Sequence, residues 1–96
     1  MGLYLYLNER YLADVATNSG WVSFAKWGRR VKNSPRLKEL CDEGCTEHGA
    51  ELLCELRSVR PPKNSDVAEV LVAIVDALEG KRLRDRAVIV SDGLGD

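Results

Sequence analysis

The stretch Leu3-Tyr4-Leu5-Tyr6-Leu7-Asn8-Glu9-Arg10-Tyr11-Leu12-Ala13-Asp14-Val15-Ala16 decides the fold. Its first five residues alternate leucine with tyrosine, a period of two in strand-favouring types that sends the leucines to one sheet face and the tyrosines to the other. The next segment fits a helical turn through Tyr11, Leu12 and Val15, or a strand through Tyr11, Ala13 and Val15. Register favours the strand. A loop of Asn8, Glu9 and Arg10 places Leu7 opposite Tyr11, Leu5 opposite Ala13 and Leu3 opposite Val15, which makes one consistent apolar face. The reading is a β-hairpin, with Tyr4, Tyr6 and Leu12 on the other face.

Working outward, Thr17 to Gly20 are turn and N-cap residues. After them Trp21, Phe24, Ala25, Gly28 and Val31 recur at helical spacing, so an amphipathic helix is expected to run to about Asn33. Ser34 with Pro35 behind it opens a short second helix that Gly44 stops. Thr46 is expected to cap a third helix, buried through Leu52, Leu53 and Leu56, which ends before Pro61 and Pro62. Asn64 and Ser65 open a fourth, apolar at Val67, Val70, Leu71, Ile74, Val75 and Leu78 and closed by Gly80. Ala87 to Val90 is a short apolar run of the kind that forms a buried strand. The order β-β-α-α-α-α-β predicts an α+β fold in which the last strand joins the hairpin in a three-stranded sheet whose leucine face is covered by helices.

A chain of 96 residues supports one core, so residues 1–96 are read as a single domain. Hydrophobic residues at 45% and charged residues at 30% place it among globular chains rather than disordered ones. The longest apolar run, Val70 to Val75, is far shorter than a bilayer span. The N-terminus lacks the basic start and small-residue cleavage site of a secretion signal, so a cytoplasmic setting and reduced cysteines are expected.

The net charge of −1 conceals strong segregation. Residues 26–38 hold six basic side chains and no acid, whereas residues 39–55 hold six acids and no lysine or arginine. Each block is a potential docking field, and sequential helices joined by short loops would also set the two side by side and partly neutralise them.

Cys41, Cys45, His48 and Cys54 are the types zinc prefers, yet their spacing lacks the two close pairs of a zinc module, and His48 and Cys54 fall on different sides of a helix. No metal or cofactor is expected. His48 lies three residues after Cys45, the one arrangement that resembles a nucleophile beside a base, but no orienting third group accompanies it and no catalytic residue is assigned. Asp92, Gly93, Gly95 and Asp96 resemble a phosphate- or magnesium-holding loop only in composition, and read as a solvated tail. Trp21, Phe24 and Trp27 interleave with Lys26, Arg29 and Arg30, and a second basic cluster spans Lys81 to Arg86, an aromatic and cationic mixture that single-stranded nucleic acid binders use. Trp21 and Phe24 belong to the buried stripe, however, and a pI of about 5.8 opposes a polyanion footprint.

These features point to a small non-catalytic binding module that contacts a protein partner or a second copy of itself as a homodimer, with no membrane. Tyr4, Tyr6, Leu12, Trp27, Arg29 and Arg30 are the candidate contact residues. A nucleic-acid-binding regulator using clusters 26–38 and 81–86 is the alternative.

Overall fold

Strand β1, Gly2–Leu7, buries every second residue: Leu5 is inaccessible, Leu3 and Leu7 nearly so, and Tyr4 and Tyr6 stay half-buried. The computed structural model describes residues 2–63 and 65–92. In these, β2 (Arg10–Thr17) is followed by α1 (Asn18–Gly28), α2 (Pro35–Glu43), β3 (Cys45–Thr46), α3 (Gly49–Ser58), α4 (Asp66–Leu78) and β4 (Val88–Ser91). The fold is α+β, with the expected element order and one addition, the two-residue β3. It makes the sheet four-stranded, ordered β2-β1-β4-β3 and antiparallel at every pairing.

The hairpin exists, but its register departs from the expected one. The loop has two residues, so Leu7 pairs with Arg10 and Tyr6 with Tyr11. Asn8 adopts a left-handed φ of 54°, which asparagine tolerates, and its backbone and side chain hold the start of β4: its N–H donates to the Ala87 carbonyl and its Oδ1 accepts from the Ala87 N–H. Two irregularities, opposite Leu5/Tyr6 and Leu3/Tyr4, then restore Leu5 to Ala13 and leave Leu3 opposite Ala16. A bulge inserts a residue and changes which side chains share a face. Because the loop is one residue shorter than expected, Tyr11, not Leu12, falls opposite Tyr6 and joins Tyr4, while Leu12, at the first irregularity, packs against the core.

The buried apolar side chains form one cluster built from the leucine side of the sheet and the inner stripes of all four helices. Phe24, Leu37, Leu40, Leu52, Leu56, Ile74, Leu78 and Val88 are fully enclosed in it. Gly28 allows α1 to approach α2, since a Cβ there would overlap Cys41 Sγ. Helix α1 ends at this contact, well before Asn33. Residues 29–31 continue in tighter turns, and Asn33 reverses the chain at φ 61°. Strand β4 is not buried on both faces as its apolar run implied, because Val88 and Val90 point into the core while Ile89 and Ser91 alternate outward.

Helix ends follow the expected chemistry in part. Thr17 Oγ1 accepts from Gly20 N–H and Ser65 Oγ from Ala68 N–H, while Gly44 and Gly80 take the left-handed conformation that stops α2 and the chain after α4. Asn64, the other residue expected at the start of α4, lies outside the described residues. Two caps differ. Thr46 belongs to β3, and α3 starts at Gly49, where Thr46 Oγ1 accepts from His48 N–H and donates to Glu39. Ser34 stands at the N-cap of α2 but its hydroxyl donates to Lys32 O. The Glu55 carboxylate, reaching over from α3, accepts from Arg36 N–H and Leu37 N–H at 2.9 Å each instead.

The segregated charges meet as expected. Arg29 pairs with Asp42 at 2.8 Å, and Arg36 bridges Glu39 at 3.2 Å and Glu51 at 2.6 Å. Arg36 with Thr46 holds the Glu39 carboxyl below its ordinary range, the Thr46 hydrogen bond being the larger cause.

The Glu55 cap generates a test. Glu55→Ala should lower unfolding free energy by about 1–2 kcal/mol, as loss of an N-cap acceptor does, and Glu55→Gln should lose less because an acceptor oxygen remains. Urea titrations followed by circular dichroism would measure both.

Candidate functional site

The outward face of the sheet is where exposed aromatic surface gathers. The pairing places Tyr11, Tyr6, Ile89 and Cys45 in one row across all four strands, and Asp14, Tyr4 and Ser91 in the next. Alternation dictates this in β1 and β4, where the flanking Leu3, Leu5, Leu7, Val88 and Val90 are buried. The helices bury their stripes against the opposite face, so none covers this one.

Tyr11 is the hub of the patch. Its ring meets those of Tyr4 and Tyr6 edge to face, with centroids 6.1 and 6.0 Å away. Aromatic pairs in this arrangement are attractive and hold one another in place. The Tyr11 hydroxyl donates to Asp14 Oδ1, and that hydrogen bond, with the carboxylate charge, raises the pKa of the phenol above its ordinary value. At neutral pH the face therefore carries rigid neutral rings and one carboxylate already engaged by a donor.

The edges of the sheet are poorly suited to strand addition. β1 is not an edge, because β2 and β4 pair with both its sides. At one edge β2 is broken by two bulges, and at the other β3 is two residues long; both devices discourage edge pairing.

The other expected contact residues lie elsewhere. Trp27 is half-buried, tilted against Phe24 at 5.7 Å, in the helix layer. Arg29 ties α1 to α2 through Asp42 and through a bond from Nη2 to Cys41 O, which is a structural use. Arg30 is exposed. The tyrosines and this arginine pair are thus not one surface. Tyr11 and Ile89 were missed in the sequence. Tyr11 was hidden by the turn being one residue shorter than expected, whereas Ile89 was legible from the alternation of Val88, Ile89 and Val90 against β1.

Cys41, Cys45, His48 and Cys54 are dispersed. Cys41 is buried between α1 and α2, Cys45 lies on the outer sheet row, and Cys54 is exposed on α3. His48 Nδ1 lies 3.7 Å from Glu51 Oε2 at the start of α3. Among the described residues no three histidine, cysteine or acidic side chains are grouped as a metal site. Cys45 and His48 line a shallow hollow of about 250 Å³ with Glu39, Glu43, Thr46 and Glu47. Gly93, Gly95 and Asp96 of the C-terminal acidic loop lie outside the described residues, and no described helix is long and apolar enough to cross a membrane.

Comparison with protein-family models, curated proteins and solved structures finds no match to this chain.

Burial pushes the Cys41 thiol up to about 12, so it stays protonated and unreactive at neutral pH. Iodoacetamide at pH 8 should modify Cys54 and Cys45 in the native protein and reach Cys41 only on unfolding. Mass spectrometry of the native and urea-treated protein distinguishes the three sites.

Proposed function

We propose that this chain is a non-catalytic binding module whose working surface is the open tyrosine face of the sheet, and that the occupant of that face is a second copy of the chain. The observation that carries the reading is the cluster of Tyr4, Tyr6 and Tyr11, joined by Ile89, on a sheet face that no helix covers. Tyrosine buries a large ring while keeping a hydroxyl for a hydrogen bond, which is why interfaces are enriched in it.

A second copy fits for physical reasons. The chain has a net charge of −1, so two copies approach with little repulsion. On the face itself, the Asp14 carboxylate is engaged by Tyr11, and a flat neutral aromatic patch can meet itself across a twofold axis without opposing like charges. Twofold dimers are the commonest homo-oligomers. The blunted edges at β2 and β3 direct association to the face and away from an open-ended strand ladder. A cytoplasmic setting, where the three free thiols stay reduced, accords with this reading.

Sedimentation equilibrium at micromolar concentration tests it. The expected mass is twice 10.7 kDa, falling to 10.7 kDa in Tyr4→Glu with an unchanged circular dichroism spectrum. A mass of 10.7 kDa for the unaltered chain at every concentration would contradict it.

A further inference from the structure

A second surface lies beside the hairpin, where residues 80–86 return from α4 past the end of β2. There Arg10, Lys81, Arg82 and Arg86 line a groove of about 390 Å³ floored in part by Leu12 and bordered by Tyr11. No acid lines it. Glu9, Glu79 and Asp85, each next in sequence to a lining residue, are not among its walls. Glu79 faces Arg57, and the Asp14 carboxylate is engaged by the Tyr11 hydroxyl.

The other basic block is only partly neutralised, since Lys26, Arg30, Lys32 and Lys38 are exposed and take part in no ion pair among the described residues. What sets the groove apart is that four such cations line one hollow. Arg29 and Arg36, from residues 26–38, are held by Asp42, Glu39 and Glu51. The four groove cations take part in no ion pair among the described residues, and all four are exposed. Like charges gathered without counter-charges repel one another, which a fold gains nothing by arranging unless an anion neutralises them. Glu47 and Asp85 line a different hollow, with Asn8 and Arg84, and are not among the walls of this groove.

We infer that the groove formed by Arg10, Lys81, Arg82 and Arg86 binds the phosphodiester backbone of single-stranded nucleic acid, with the half-exposed Tyr11 ring offered to a base. A string of phosphates matches several cations in a row better than one small anion does. An aromatic ring at the margin is the second element that single-strand binders combine with a basic groove. The cations sit on a turn segment and a hairpin end rather than along a helix, so nothing here is shaped to enter the major groove of a duplex. Tyr11 borders both this groove and the tyrosine face, but the four cations lie outside that face, so phosphate binding is tested independently of self-association.

Fluorescence anisotropy of the full chain with a labelled oligo-uridine or oligo-thymidine about 12 nucleotides long provides the test. Binding is expected at low salt, with log Kd against log salt changing with a slope of magnitude about 3, as four phosphate contacts on a single strand require. The double variant Lys81→Glu/Arg82→Glu, whose side chains are exposed, should weaken binding about tenfold or more and reduce the slope by about half, while Arg30→Glu should leave both unchanged. Absence of binding at low salt, equal loss in Arg30→Glu, or equal affinity for polyglutamate or a duplex of the same length would each overturn the inference. Sedimentation of the double variant separates the two surfaces: it should keep the same oligomeric state as the unaltered chain.

Discussion

The two-residue repeat of β1 is the constraint on which the structure depends. β1 lies inside the sheet, paired on both sides, so each of its side chains must point to one face or the other. Leu3, Leu5 and Leu7 collect the helices by the hydrophobic effect, and once the four helices have covered that face no further helix among the described residues remains for the opposite one. Tyr4 and Tyr6 are left outward by the same geometry that buries the leucines. The exposed aromatic patch is therefore a direct consequence of how the core forms, and the tyrosine hydroxyls make that face tolerable in water as well as useful for contact.

Charge follows a similar economy. The basic and acidic blocks of residues 26–55 are largely structural: Arg29 with Asp42 joins α1 to α2, Arg36 with Glu51 joins α2 to α3, and Glu55 closes the exposed backbone donors at the start of α2. Exposed ion pairs of this type each contribute little, about 0–1 kcal/mol, and they engage only Arg29 and Arg36 of that block, Lys26, Arg30, Lys32 and Lys38 taking part in no ion pair among the described residues. Arg10, Lys81, Arg82 and Arg86 take part in no ion pair among the described residues and line one groove. A strong charge cluster in a sequence is thus not by itself a docking site; what matters is which cations the fold has already paired.

Much of the fold was legible because it rests on local periodicity. The alternation of leucine and tyrosine, the helical stripes, Pro35 at the start of α2 and the glycines at 44 and 80 each act over a few residues, and the element order follows from them. What was not legible depends on contacts between distant residues. A two-residue turn anchored on Ala87 puts Tyr11 rather than Leu12 on the outer face, and the bulges in β2 then bring Ala13 opposite Leu5 while Val15 is buried. β3 forms only because β4 offers it an edge. The Ser34 cap failed because Glu55, 21 positions later, supplies a better acceptor. For the site, Tyr4 and Tyr6 were readable from their own strand, whereas the basic groove required knowing that residues 81–86 return to the hairpin.

The claim that the open tyrosine face is the contact surface is most directly examined by isotope-filtered nuclear Overhauser spectroscopy on a mixture of labelled and unlabelled chains, which reports only contacts between copies. The account predicts intermolecular signals among the ring protons of Tyr4, Tyr6 and Tyr11 and the methyl groups of Ile89. Intermolecular signals arising instead from Val22 and Val72, the exposed apolar residues of the helix layer, with none from the tyrosines, would contradict it.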